Sequence, residues 1–277
     1  EIAHRKGHRY LTVIVDHDTG RLVWAAPGRD TATLLRFFDD LGPQRSTALT
    51  HVSADGAEWI HNAGTQRAPQ ALICLDAFHV VQWATKALDE VRRGMWNKLR
   101  WQGKHGQASS LKGTRWALLK NIQDLTGEQK TTMASIAVTN KGLYRAYLLK
   151  EQLRYVFEEK GERGRQLLAG WLAWAKRSRL PEFTKLAKTI DKYKPLILNT
   201  LDHRLTNAPL HATNTHARAL TRRPSGFHSP AALVPLTYLP TRRPCPALPR
   251  PPSRAPPSAA TAARPPCPPP PLPRVTS

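Results

Sequence analysis

The spacing of apolar residues changes along the chain, and that change divides it. Tyr10-Leu11-Thr12-Val13-Ile14-Val15 is a β-branched run of strand length, followed by the turn-like Asp16-His17-Asp18-Thr19-Gly20 and a second run from Leu22 to Ala26. Two such runs joined by a Gly-containing loop predict a β-hairpin, and residues 1–3 read as the end of an earlier strand. Leu34, Leu35, Phe37, Phe38 and Leu41 recur at helical spacing, predicting a helix over 32–41 with Thr31 as its cap and Gly42-Pro43 as its stop. A strand over 47–53 runs into Ser53-Ala54-Asp55-Gly56, and a short helix follows. Beyond Pro69, Ala71-Leu72-Ile73-Cys74-Leu75 has the pattern of a buried strand, and Asp76 opens a long helix through Phe78, Val81, Trp83, Leu88 and Val91.

An antiparallel start that passes into strand–helix alternation predicts an α/β fold, a mixed sheet covered by helices. The element order is that of a ribonuclease-H-like core, although other α/β folds share parts of it. From about residue 95 to 200 strand-like runs vanish. Amphipathic stretches at 115–121, 128–139, 143–160, 164–179 and 182–194 replace them. Tyr144, Tyr147, Leu148 and Tyr155 recur at helical spacing, as do Leu167, Trp171 and Trp174; such a stripe reads as core before it reads as a base-stacking platform. The expected organisation is a core over 1–95, an all-helical insertion over 96–200, a closing helix of the core within 201–239, and a tail over 240–277.

Composition sharpens this division. Lys and Arg number 42 against 20 Asp and Glu, a formal charge of +22. No acid follows Asp202, so residues 203–277 carry ten arginines unopposed and residues 1–202 carry the remaining +12. That excess suits a polyanion, nucleic acid before membrane; a merely well-solvated surface is the plain alternative. Of the 38 residues from Pro240 to Ser277, 15 are Pro, 6 Arg and 6 Ala. Such a segment buries too little apolar surface to offset its ordering entropy, and the expectation is a disordered, polyproline-like tail. It reads as a proline-rich ligand or as GC-rich DNA translated out of frame. Cys74, Cys245 and Cys267 supply neither a disulfide framework nor paired zinc ligands. No apolar run is long enough to span a bilayer and no signal-peptide pattern is present, so the expected location is cytoplasmic. The chain starts at Glu1 without a methionine and is strand-like almost at once, which predicts an upstream portion.

In α/β sheets ligands gather at the carboxyl ends of strands. Asp55 and Asp76 are both expected at such ends. Carboxylates converging there could hold divalent ions for phosphodiester chemistry. Each has a structural alternative: Asp76 as a helix N-cap, Asp55 as a turn residue beside Gly56. His79, one turn into the long helix, is either a ligand or a hydrogen-bonded packing residue. There is no P-loop, no GxSxG elbow and no zinc-spaced Cys/His cluster.

Several ordered segments together resemble a known family. They are residues 1–12, Val52-Ser53-Ala54-Asp55-Gly56-Ala57, Cys74-Leu75-Asp76-Ala77-Phe78-His79-Val80-Val81, residues 84–93, and a closing block. The closing block holds Thr206-Asn207-Ala208, Ala212-Thr213-Asn214-Thr215, Leu220-Thr221-Arg222-Arg223 and Gly226-Phe227-His228-Ser229-Pro230. The chain over about 1–235 resembles the DDE transposases of bacterial insertion sequences, ISL-three branch. The resemblance implies a ribonuclease-H-like core with a helical insertion, cutting DNA at the ends of a mobile element and joining it elsewhere. It implies two Mg²⁺ held by Asp, Asp and Glu, DNA as partner, homo-oligomerisation as an option, and residence at the bacterial nucleoid. Asp55 matches the second aspartate and a metal ligand, while Asp76 and His79 match a supporting motif. Arg218, Arg222 and Arg223 are candidate DNA contacts. Two departures stand out. The family's first aspartate falls immediately before Glu1, and the position of its glutamate is His211. Imidazole is a poor substitute for a carboxylate oxygen on Mg²⁺. The expectation is a catalytically impaired transposase, or alternatively a non-catalytic DNA-binding remnant that competes with the full-length enzyme.

Overall fold

The computed structural model describes residues 2–5 and 9–203, with Thr215 in addition, and side chains from Tyr10 onward. Three antiparallel strands open the fold: β1 (Ile2–Arg5), β2 (Arg9–Val15) and β3 (Leu22–Pro27), in the order β1-β2-β3. The hairpin between β2 and β3 closes on Asp16, whose carboxylate accepts from Asp18 N at 3.1 Å and Thr19 Oγ1 at 2.6 Å. Gly20 stands at φ 67°, a left-handed conformation that glycine adopts without a Cβ clash.

Helices α1 (Thr31–Leu41) and α2 (Pro43–Thr47) lead to β4 (His51–Ala54); α3 (Glu58–Arg67) leads to β5 (Leu72–Leu75). The cap of α1 is Asp30, not Thr31: its carboxylate accepts from Thr33 N at 2.7 Å. Asp30 binds the orphan amide with a charged oxygen, leaving Thr31 to begin the helix. The strand expected over 47–53 is shorter. Pro43 is pre-set for a helix start, so residues 43–47 form α2 and only 51–54 pair. β4 and β5 are parallel, with Ala54 opposite Leu75. Antiparallel and parallel pairing therefore both occur, as in an α/β fold, but among the described residues they form two small sheets rather than one.

From Ala77 the chain is helical: α4 (Ala77–Trp101), α5 (His105–Gly113), α6 (Arg115–Leu119), α7 (Gly127–Thr139), α8 (Lys141–Val156), α9 (Gly161–Arg177), α10 (Pro181–Lys192) and α11 (Lys194–His203). The expected stretches are all helices, while α5 and a separate α11 were not foreseen. One core runs through this region, from Leu75 and Val80 to Leu201. Trp171 and Tyr147 of the aromatic stripe lie inside it, and the Trp171 indole donates to Leu149 O at 2.8 Å. Tyr155 instead is 41% exposed, and its hydroxyl donates to Glu159. A second cluster, including Leu34, Phe37, Phe38 and Ala63, joins α1 to α3.

Helix α11 ties the end of the helical region back to the sheet. Asn199 donates to Ile73 O at 2.9 Å and Thr200 to Leu75 O at 2.6 Å, satisfying carbonyls of β5. Tyr193, just before α11, reaches Gly56 beyond β4, whereas His203 at its end stacks near His51 at the start of β4. α11 therefore runs antiparallel to β4 and β5. Among the described residues no helix is long and apolar enough to cross a membrane. The closing segment expected over 201–239 is described only at 201–203 and Thr215; His211, Arg218, Arg222 and Arg223 lie outside the described residues, as does the tail 240–277.

Candidate active site

The register of the parallel pair decides where the acids go. With Ala54 opposite Leu75, the next residue of each strand is an aspartate, so Asp55 and Asp76 leave the sheet side by side at its carboxyl edge. A backbone bond from Asp76 N to Ala54 O, 2.8 Å, extends the ladder to this point.

The two carboxylates are held differently. Asp76 is 4% exposed and caps α4, accepting from Phe78 N at 3.1 Å through Oδ1. Its Oδ2 meets His79 Nδ1 at 3.0 Å. Asp55 accepts from Ala57 N at 3.0 Å through Oδ1, the bond of a turn aspartate. Its Oδ2 faces His79 Nε2 at 3.8 Å and makes no hydrogen bond among the described residues. The imidazole thus stands between the acids, one ring nitrogen toward each. Both readings of each residue coexist here: Asp76 is an N-cap, His79 is hydrogen-bonded, and Asp55 is a turn residue whose second oxygen stays available.

Side chains from distant segments build the wall, and the sequence pattern did not point to them. The indole of Trp83, one helical turn beyond His79, lies so near Gly56 that a Cβ there would meet Trp83 Cζ2 at 2.8 Å. Only glycine allows this approach. Tyr193 packs on Trp83 with ring centroids 5.7 Å apart and donates to Gly56 O at 3.2 Å. His61 Nε2 meets Asp55 O at 2.8 Å. At the rim Lys192 bonds Glu58 at 2.6 Å and thereby holds the glutamate below its ordinary range. Spacing from His79 could have flagged Trp83; nothing local marks Tyr193, which arrives from more than a hundred residues away.

These donors do not by themselves suit a pair of Mg²⁺ ions, which require several carboxylate oxygens. Among the described residues no group of three His, Cys, Asp or Glu side chains could hold a metal. Asp76 has both oxygens committed, so of these two acids Asp55 is the one whose second oxygen makes no hydrogen bond among the described residues.

Residues 1–235 match the DDE transposase family ISL3, described as "Transposase". The chain belongs to that family. Relatives include the transposase for insertion sequence element IS1557 of Mycobacterium tuberculosis, 50% identical over 258 residues. That alignment covers 86% of this chain and 58% of the relative. The transposase for IS1001 of Bordetella parapertussis is 29% identical over 229 residues, 82% of this chain and 56% of its own. The chain therefore spans somewhat more than half the length of these relatives. No solved structure matches it.

Proposed function

We propose that this ISL3-family chain carries the ribonuclease-H-like core of an insertion-sequence transposase, acts on DNA, and is impaired in strand cleavage. The reading places β3-β2-β1-β4-β5 in one mixed sheet, with β1 bridging the antiparallel and parallel parts. The observation that carries it is the pair Asp55 and Asp76 at one strand edge, one acid sealed into a cap and the other presenting an oxygen. Asp55 takes the role of the family's second aspartate, with His79 and Asp76 holding its surroundings.

The impairment rests on His211 at the glutamate position. Seven residues separate it from His203, so the eight steps between them can extend to roughly 26 Å, while the four residues of β4 span about 13 Å. A chain of that length could bring residue 211 to the carboxyl edge, and at the family's glutamate position this sequence offers an imidazole. A neutral ring in place of a carboxylate leaves the metal charge under-compensated.

The test is Mg²⁺-dependent nicking of a plasmid carrying the element's terminal repeats. Wild type is expected at the Asp55→Ala background. His211→Glu, in a chain that also carries an aspartate before Glu1, should rise above it. Metal-dependent cleavage by the wild-type chain, lost in Asp55→Ala, would refute the impairment. A second reading, a non-catalytic DNA binder that competes with the full enzyme, is favoured by the +12 charge on residues 1–202. It predicts duplex binding that weakens steeply with salt and ignores Asp55→Ala.

A further inference from the structure

We propose that the open cavity at the start of α10, lined by Arg179, Pro181, Thr184, Lys185 and Lys188, is a docking site for the phosphate backbone of duplex DNA. The proposal rests on the DNA-directed reading above and assigns it a surface outside the acidic edge.

The cavity measures about 410 Å³, and its charged lining is all cationic. Arg179, Lys185 and Lys188 are exposed, and none forms an ion pair or side-chain hydrogen bond among the described residues. Neighbouring cations behave differently: Lys176 is bound to Asp191 and Lys192 to Glu58. The alternation of α10 explains the arrangement. Phe183, Leu186, Ala187 and Ile190 are buried, so Thr184, Lys185 and Lys188 share the outward side at three- and four-residue spacing.

Two backbone features add to the charge. Leu180 supplies no side-chain cap to α10 and Pro181 has no N–H, so the first-turn amides meet no capping side chain among the described residues; Glu182 belongs to this turn but not to the cavity lining. Such amides favour an anion. Arg179 stands at φ 58°, the sole positive-φ residue other than glycine among the described residues. A long side chain held in this conformation is strained where glycine would not be. The strained residue is the one that brings a guanidinium to the cavity.

The helix also connects the cavity to the candidate site. From Pro181 to Lys192, α10 rises roughly 16 Å. At its far end Lys192 bonds Glu58 and Tyr193 bonds Gly56, next to Asp55. A duplex held by Lys185 and Lys188 is thus within about its own width of Asp55. The cations repeat along one helix face as phosphates repeat along a strand, and the DNA-directed reading above selects duplex DNA among anionic partners.

The experiment is fluorescence anisotropy of a labelled 25-base-pair duplex against the full chain, from 50 to 300 mM salt. The cavity variant is Arg179→Gly/Lys185→Gln/Lys188→Gln; the control is Lys104→Gln/Lys112→Gln/Lys130→Gln, three exposed lysines elsewhere. Three lost phosphate contacts lower the log–log salt slope by about 2.7, and the control lowers it by less than 1. Arg179→Gly alone should lower it by about 0.9 while Tm holds or rises, since the substitution relieves the positive φ. Equal slopes for the cavity and control variants would overturn the site while leaving DNA binding intact. An unchanged slope in the cavity variant, the result expected were its partner an acidic protein, also overturns it. No binding of the duplex by wild type at 50 mM salt would overturn both the site and the reading beneath it.

Discussion

Replacing Asp76 separates two physical accounts of a buried acid. In the structure Asp76 accepts from Phe78 N at 3.1 Å and meets His79 Nδ1 at 3.0 Å while 4% exposed. Loss of an N-cap costs about 1 kcal/mol. The bond to His79 adds about 1 kcal/mol, reduced from the buried value because that imidazole is 34% exposed and regains water. The carboxylate also loses its favourable place at the positive end of the 25-residue α4, worth about 0.5 kcal/mol. Asp76→Ala should therefore destabilise by about 2–3 kcal/mol. Asp76→Asn keeps an oxygen for Phe78 N and should cost about 1 kcal/mol. Val80, Ala84, Leu88 and Val91 anchor α4 in the core, so the helix persists and the urea m-value stays unchanged. Urea unfolding followed at 222 nm measures both variants. A carboxylate kept as a metal ligand would repel Asp55 in metal-free protein, and its removal would stabilise. A gain in stability for Asp76→Ala, or equal costs for Ala and Asn, refutes the capping account.

Gly56→Ala places a Cβ 2.8 Å from the Trp83 ring and should cost about 1–3 kcal/mol, read as a lower urea midpoint with altered Trp fluorescence. Lys150 is buried and donates to Leu118 O and Lys120 O beside Glu151, so Lys150→Ala strips both carbonyls of this donor, leaves Glu151 with Arg154 and Ile122 N alone, and should cost about 2–3 kcal/mol in the same assay. Trp171→Phe removes the indole donor to Leu149 O, which keeps its helical bond, and leaves space in the core, so it should cost about 1–2 kcal/mol by thermal or urea unfolding. Burial, with His203 adding to it, holds His51 below the ordinary histidine pKa of 6.5. The unfolded chain then binds more protons between the lowered value and 6.5. Stability should fall as pH is lowered through that window, and His51→Gln should flatten the dependence of the urea midpoint on pH.

The legible parts of this chain are those whose cause is local. The β2–β3 hairpin, α1 and the helices from α7 to α10 follow from runs and spacings within one element. The α1 cap was misplaced by one residue because Asp and Thr are adjacent and both cap; only the bond from Thr33 N to Asp30 separates them. The strand expected over 47–53 forms only from His51, since the helix that Pro43 starts runs to Thr47 and residues 48–50 connect it to β4. At the site, Asp55 and Asp76 were findable because strand ends are marked by sequence. Their side-by-side placement needed the β4–β5 register, and Tyr193 needed the whole helical region to close.

That closure also links the acidic edge to the cationic cavity through a single helix, α10. Asp55 is positioned by a turn only three residues long, and its backbone is gripped by His61 and, through Gly56, by Tyr193. Tyr193 is in turn the residue between α10 and α11. Were DNA on Lys185 and Lys188 to displace α10, the route to Gly56 would run through Tyr193, which bonds Gly56 O and packs on Trp83. Tyr193→Phe removes only the hydroxyl that donates to Gly56 O and keeps the ring on Trp83. If the coupling passes through that bond, duplex binding protects the amides of Gly56 and Ala57 from hydrogen exchange in wild type and fails to do so in the variant. Equal protection in both would assign the linkage to ring packing instead of the hydrogen bond.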